Sequence, residues 1–242
     1  MTDANVYGDF AGYYDLLGWN GFARFSAERL KNFVAFRGHG YETVLDLACG
    51  TGELEYILRR SKLQFTGVDL SWKMLSQARR KNKGVKFYHG DIVNVRLNKK
   101  YDLTVCFFDS INHLSGLSAI KKAFKTARAH LKPGGFFIFD MLSPEGLERW
   151  EAIDIRKQPD YYVIINGHYY PEKIKAEVTI EGFVKSGGNS YKRFVQLVKE
   201  CSFPLDIVAE ALTIAGFDEI SVTSFNTDEP IEAASRWFFV VS

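Results

Sequence analysis

Apolar positions change rhythm twice along the chain. Phe22, Phe25, Arg29, Phe33 and Phe36 recur at three- and four-residue steps, and Gly38 and Gly40 follow, so the spacing predicts a helix over residues 10–37. From residue 43 short apolar runs alternate with amphipathic stretches. Strands are expected over 43–47, 64–68, 85–89, 101–108 and 136–140. Helices are expected over 52–60 and 71–81, the latter with Ser71 as N-cap, and along Leu117, Ile120, Phe124, Ala127 and Leu131, stopping at Pro133-Gly134-Gly135. Strands that are apolar throughout are buried on both faces, and their alternation with helices predicts an α/β, doubly wound, mostly parallel sheet.

After about residue 150 the rhythm becomes strict alternation. Ile174, Ala176, Val178 and Ile180 interleave with Lys175, Glu177, Thr179 and Glu181. Stretches 161–168, 173–184 and 190–200 read as strands with no helix between them, and Gly187-Gly188-Asn189 is a turn. Residues 204–215 then read as a helix closed by Gly216, and 217–225 and 236–241 as two final strands. The expected organisation is an N-terminal helical cap over 1–40, a core of 41–154 and 204–242, and an antiparallel β insertion over 155–203. That insertion carries Tyr161, Tyr162, Tyr169, Tyr170, Phe183 and Tyr191. A small antiparallel sheet needs a partner surface, so it is expected to form a lid or pocket wall.

Composition narrows the function classes. The 242 residues carry a net charge of +2, which gives no global field for nucleic acid. The basic run Arg79-Arg80-Lys81-Asn82-Lys83 ends a helix, where cations complement its dipole, and reads as a solvated face. No apolar run approaches the length of a membrane span, and Met1-Thr2-Asp3-Ala4-Asn5 is no secretory signal. Cys49, Cys106 and Cys201 are far apart in apolar sequence and read as reduced thiols of a cytoplasmic protein. Neither CxxC nor HExxH occurs, so no structural zinc site is expected.

The chemistry concentrates at strand ends. Between a strand and a helix runs Asp46-Leu47-Ala48-Cys49-Gly50-Thr51-Gly52. Two glycines allow a sharp turn and close approach of a ligand to the backbone. A dinucleotide site would need a third glycine where Glu55 stands, and no Gly-Lys-Ser/Thr follows, so the turn suits a nucleoside ligand without phosphates. Asp69, 17 residues after Gly52, ends the second strand and is placed to accept from ribose hydroxyls. The third strand ends His89-Gly90-Asp91-Ile92, where Asp91 could accept from an adenine amine and the Ile92 N–H could donate to a ring nitrogen. Taken singly, Asp69 could simply start the following helix and Asp91 could be a solvated turn residue; their regular spacing at successive strand ends favours a ligand site.

Asp46 to Gly52, then Gly67-Val68-Asp69-Leu70-Ser71 with Met74-Leu75, then Gly90-Asp91, then Leu131 to Gly135, resemble the ordered motifs of class I S-adenosylmethionine-dependent methyltransferases. The resemblance covers about residues 40–140. It implies a seven-stranded, Rossmann-like sheet whose last strand is antiparallel, with S-adenosylmethionine as cofactor. It places Gly50 and Gly52 beside the methionine moiety, Asp46 near its amino group, Asp69 at the ribose, and Asp91 and Ile92 at the adenine. Tyr14, Ala48, Leu70, Met74 and Phe107 complete the cofactor residues it implies.

The fourth-strand loop Cys106-Phe107-Phe108-Asp109-Ser110-Ile111-Asn112-His113 and the N-terminal Phe10-Ala11-Gly12-Tyr13-Tyr14-Asp15 resemble the subgroup that includes amino-sugar N-methyltransferases. That resemblance puts Tyr14 and His113 at the reacting group as the catalytic pair. An imidazole titrates near neutrality, so His113 could take a proton; it could equally cap its loop, and Tyr14 could be an aromatic anchor. The chain departs from the sugar enzymes at Asp109, where they tend to have a small hydroxyl residue, and at Gly18-Trp19-Asn20-Gly21, which replaces their arginine-rich segment. Asp109 and Asp140 are of the type that ligates Mg²⁺, but Met141 follows Asp140 where metal-dependent enzymes have an Asp-Asn pair, so no metal is expected. His39, His89, His130 and His168 are assigned no role.

Three functions compete: a methyltransferase acting on a small molecule, an amine among its acceptors; one acting on RNA or protein; and a non-catalytic cofactor-binding scaffold. The intact glycines and acids weigh against the third. The partners expected are a small-molecule methyl acceptor and a second copy of the chain in a homodimer, with no nucleic acid and no membrane.

Overall fold

The computed structural model of the protein describes residues 7–38, 40–225 and 229–242; Met1 to Asn5 and His39, considered above, lie outside them. The first part of the chain gives α1 (Phe22–Arg37), β1 (Thr43–Leu47), α2 (Glu53–Leu58), β2 (Gln64–Asp69), α3 (Trp72–Lys81), β3 (Lys86–His89), β4 (Tyr101–Cys106), α4 (Leu117–Ala129), β5 (Leu131–Leu142) and α5 (Pro144–Glu148). Four antiparallel strands follow: β6 (Ile153–Gln158), β7 (Tyr161–Tyr170), β8 (Lys175–Gly187) and β9 (Ser190–Cys201). The chain then returns as α6 (Leu205–Ile214), β10 (Ile220–Ser224) and β11 (Arg236–Val241).

Seven strands form one sheet in the order β10-β11-β5-β4-β1-β2-β3. β11 alone runs antiparallel, between β5 and β10. The expected α/β fold with an antiparallel last strand is therefore the fold found. Successive residues of β1 serve opposite faces, as strand geometry requires. Leu45 and Leu47 join an apolar layer with Ile120, Phe124, Val208 and Phe217, while Val44 packs with Leu30, Leu54 and Leu58. The strand order reverses between β1 and β4, and there the carboxyl ends of the strands open a crevice.

β6, β7, β8 and β9 make a second, four-stranded sheet. Its inner face, with Val163, Val178, Ile180, Val184 and Phe194, packs on Phe10 and Leu17 of the N-terminal segment. That packing explains one departure from the sequence pattern. The helix begins at Phe22; residues 10–21 instead form two 3₁₀ turns, Phe10–Gly12 and Trp19–Gly21, with Gly18 at φ +82°. Burying Phe10 and Leu17 against a sheet outweighs helical continuation across Gly12, Gly18 and Gly21.

β5 starts at Leu131 rather than Phe136. Tyr101 pairs with Leu131 and Leu103 with Phe136, so Pro133-Gly134-Gly135 bulges out of the ladder within one strand. Two elements carry no periodic signal. α5 is a single turn capped by Ser143, whose Oγ accepts from Gly146 N at 3.0 Å. β6 is an edge strand whose residues are all exposed, so no buried face imposes alternation. Cys49, Cys106 and Cys201 are free and buried. Among the described residues no helix is long and apolar enough to cross a membrane.

Candidate active site

The turn after β1 is built on left-handed backbone. Ala48, Gly50 and Gly52 have φ of +67°, +55° and +72°. The two glycines serve different ends. A Cβ on Gly52 would come within 2.6 Å of Asn82 Nδ2 and 3.0 Å of Ala78 Cβ, so this glycine seats the turn against α3. Asn82 Nδ2 returns a hydrogen bond to Gly52 O at 2.8 Å. A Cβ on Gly50 would meet nothing within 4 Å. Gly50 is thus the one that leaves open space over the turn.

Asp69, at the end of β2, organises this turn. Its Oδ2 accepts from Gly50 N at 2.8 Å and its Oδ1 from Ser71 N at 2.7 Å. Ser71 Oγ in turn caps α3 by accepting from Met74 N at 3.3 Å. Burial pushes the Asp69 carboxyl above its ordinary range, opposed by these two N–H donors and by His89. Asp46 lies beside it, and burial, with Glu55 and Asp69 near, drives its pKa well above the usual value. Glu55, in the first turn of α2, is 1% exposed, and neither carboxylate oxygen has a hydrogen-bond partner. Burial pushes it up to about 8, with the Lys81 charge opposing. Lys81 is itself engaged by Asp15 at 2.7 Å and Glu53 at 2.5 Å. Three buried acids around a glycine turn thus form a cradle suited to a ligand whose positive charge would stabilise their ionised forms.

The rest of the crevice is set by β4, β5, β11 and β9. Phe108 and Asp109 turn left-handed at φ +59° and +48°. Asp140, at the end of β5, holds that turn by accepting from Phe108 N at 2.6 Å and Asp109 N at 3.0 Å. Arg236, the first residue of β11, donates to Asp140 and, at 2.9 Å, to Asp109. The two carboxylates considered as metal ligands therefore share a guanidinium, which supplies the positive charge between them. Asn112 clamps two strand ends: its Nδ2 donates to Leu142 O at 3.0 Å and Cys201 O at 2.9 Å, and its Oδ1 accepts from Leu142 N at 2.9 Å. The end of β9 is thereby fixed over the crevice, with Glu200 on the inner face in register with Ala176. Glu200 Oε1 lies 3.7 Å from His113 Nε2. Burial lowers the His113 pKa and, with Asp109 next in weight, raises that of Glu200 well above the ordinary range.

The N-terminal segment joins the two halves. Asp15 accepts from Thr51 Oγ1 at 2.7 Å and pairs with Lys81, and Gln77 donates to Ala11 O. Tyr14 packs edge-on to Phe10, with centroids 5.7 Å apart. Tyr7 stands between the expected pair, 6.3 Å from the Tyr14 ring and 6.4 Å from that of His113. Burial, with the nearby Asp69 and Asp109 carboxylates adding to it, raises the pKa of the Tyr7 and Tyr14 hydroxyls.

Not every expected residue points into the crevice. Phe107 packs in the apolar layer with Leu30 and Ile138, and its ring lies parallel to Phe238 at 6.3 Å. Ile92 is buried in the other layer, and Met74 is 2% exposed. Asp91 Oδ1 accepts from Val93 N at 3.0 Å, which ties one oxygen into a local turn. Leu70 offers its carbonyl to His89 Nε2 at 2.8 Å, and Trp72 stacks on that imidazole at 4.3 Å. His130 and His168 make ordinary local contacts with Thr126 and Glu151. Sequence reasoning missed Tyr7, Glu55 as a site acid, Arg236 and Glu200. Only Glu200 left a trace: it shares the inward parity of Phe194 and Val198.

Comparisons with known proteins agree with this architecture. Residues 44–135 match the family described as methyltransferase domain. A protein named as a methyltransferase in Bacillus subtilis is 30% identical over 81% of this chain and 82% of its own length. A dTDP-3-amino-3,6-dideoxy-α-D-glucopyranose N,N-dimethyltransferase from Streptomyces fradiae is 27% identical over 78% of this chain and 65% of its own. The crystal structure of an S-adenosylmethionine-dependent methyltransferase from Clostridium acetobutylicum superposes with a TM-score of 0.81 at 27% identity, over 98% of each chain. With its sheet order, its glycine turn and relatives matched over most of their length, the chain belongs to the S-adenosylmethionine-dependent methyltransferases.

Proposed function

We propose that this enzyme methylates a nitrogen of a small molecule held beneath the four-stranded sheet, beside Tyr14 and His113. The observation that carries the reading is the convergence of three parts of the chain: Tyr7 lies against both Tyr14 and His113, and Glu200 of β9 reaches to 3.7 Å from His113, with Asp109 and Glu200 only 4% exposed. Groups this buried suit a small acceptor better than an RNA or protein. The amino-sugar relative supports nitrogen as the acceptor atom.

The residues around the glycine turn fit the cofactor: Glu55 presents buried carboxylate oxygens without a hydrogen-bond partner, Asp46 is a buried acid beside it, and Gly50 leaves its backbone face open. In the reading proposed here Asp69 takes the ribose, and Asp91 and Ile92 the adenine. Ala48, Leu70, Met74 and Phe107 shape the walls. The bound cofactor supplies an electrophilic methyl on a sulfonium, open to in-line displacement. Tyr14 and Tyr7 then exclude water and align the acceptor, and alignment of this kind contributes about 7–11 kcal/mol to such reactions. The residues 153–201 serve as a pocket wall and the N-terminal segment as a cap. The outward face of the wall carries exposed Ile153 and Ile155 on one edge strand and Val195 and Leu197 on the other, and this supports a homodimer through that face.

The test is a screen of metabolite extracts with methyl-labelled cofactor, followed by His113→Asn on the acceptor found. An amine loses its proton before the methyl moves, so kcat should fall less than about tenfold. A loss of ~10²–10⁴-fold would mark an obligatory base and a hydroxyl acceptor instead.

A further inference from the structure

Glu200 is the acid that the glycine turn does not explain. It comes from the second sheet, yet it is 4% exposed and its Oε2 has no hydrogen-bond partner. Ligand-capable atoms of Asp109, His113 and Glu200 lie within 4.8 Å of one another. Of the three, Asp109 is satisfied by Arg236 at 2.9 Å. Glu200 is not: its nearest partner is the His113 ring at 3.7 Å, beyond hydrogen-bond reach. An unpaired carboxyl buried without a donor costs stability, and a strand edge clamped by Asn112 keeps it there.

We propose that Glu200 is the acceptor's recognition and proton-accepting residue: its free oxygen binds the ammonium of an aliphatic amine and takes one of its protons. This rests on the nitrogen acceptor proposed above. The charge balance of the crevice supports it. Asp109 and Asp140 are matched by the one guanidinium of Arg236, His113 is held neutral by burial, and Tyr7 is an un-ionised phenol. Burial, with Asp109 next, raises the Glu200 pKa well above the ordinary carboxyl range against Arg236, which favours the protonated acid in the empty site. An entering R–NH₃⁺ displaces that proton to solvent and pairs with the carboxylate. The ammonium then passes one proton to Glu200, which frees the nitrogen lone pair. The lone pair forms the N–C bond as the C–S bond breaks, and that electron pair stays on sulfur. The product leaves as a secondary ammonium.

The probes are cyclohexylamine and its uncharged counterpart cyclohexanol, titrated by calorimetry into enzyme saturated with S-adenosylhomocysteine. The amine should bind at least about tenfold more tightly than the alcohol, with one proton released near neutral pH, read from the buffer dependence of the heat. Glu200→Gln, of the same shape, should weaken the amine at least about tenfold and abolish the proton release while leaving S-adenosylhomocysteine affinity unchanged. Equal amine affinity in Glu200→Gln would overturn the proposal. If that variant does not fold, wild-type amine binding without proton release would overturn it equally. Tight Mn²⁺ binding that excludes the amine would assign the trio to a metal instead. Should the extract screen yield a hydroxyl acceptor, the nitrogen reading itself falls; an amine acceptor turned over normally by Glu200→Gln sinks only the role of Glu200.

Discussion

Glu55 and Asp69 both stand beside the glycine turn, but they act there differently. Asp69 spends an oxygen on each of two backbone donors, Gly50 N and Ser71 N, before any ligand arrives. Asp69→Ala therefore removes the proposed ribose contacts and also loosens the turn. Charge-assisted hydrogen bonds contribute about 1.5–3 kcal/mol each, so calorimetry should find cofactor affinity at least tenfold weaker, in a protein of lower Tm. Glu55 has no partner to lose. Its pKa rises from 4.5 to about 8 on folding, so the native state binds the proton more tightly than the unfolded chain. Its contribution to apo stability is complete below about 4.5 and is lost as pH rises toward about 8. Glu55→Gln should flatten that decline and raise the apo Tm at the alkaline end. The same change should weaken the cofactor, because the positive ligand binds the ionised carboxyl and expels its proton. Thermal scans across pH, paired with cofactor titration in two buffers, check both; a variant with wild-type pH dependence would return Glu55 to an inert buried acid.

At the scale of elements, the site depends on strand ends that are tied crosswise. Arg236 begins β11 yet holds the turn after β4 and the last acid of β5. Both of its partners are buried, at 4% and 0% exposure for Asp109 and Asp140. Removing the cation from a buried cluster costs about 3–5 kcal/mol, since the carboxylates stay behind. Arg236→Met should accordingly lower the Tm by roughly 10 °C, and Arg236→Lys by less, in a calorimetric scan. This tie was invisible in the sequence because its members are 127 and 96 residues apart. What the sequence did carry was local. The glycine turn, Asp69 at a strand end and Ser71 as a cap are each written within a few residues, and each is where the spacing placed it. The length of the first helix was misread because Phe10 and Leu17 belong to a partner sheet far along the chain. β6 was unreadable because an exposed edge strand has no face to mark. Glu200 falls between these cases: its parity was legible, but its proximity to His113 depends on the Asn112 clamp.

Across the whole molecule, the segment 7–21 joins the glycine turn and α3 to the second sheet. Asp15 anchors it to the glycine turn through Thr51 and Lys81, while Phe10 and Leu17 anchor it to the inner face of the second sheet. Its own backbone bonds are short-range turns, such as Ala11 N to Tyr7 O and Leu17 N to Tyr13 O. A segment held by side chains and a few turns opens at lower cost than the helices and strands beneath it. In the function proposed above it also caps the acceptor, so on that reading a ligand enters only when it moves. The two facts together predict that entry uses local opening of this segment and that cofactor binding opposes it. Hydrogen exchange should therefore slow in residues 8–21 on addition of S-adenosylhomocysteine, with little change in β7 and β8. Asp15→Ala should speed exchange in the same residues without ligand and remove most of the ligand's protection. That variant should weaken the cofactor although Asp15 itself need not touch it, because the ligand must then order a looser cap. Uniform slowing over the whole chain, or none over 8–21, would mean that the cap stays closed and that ligands enter from the other side of the crevice.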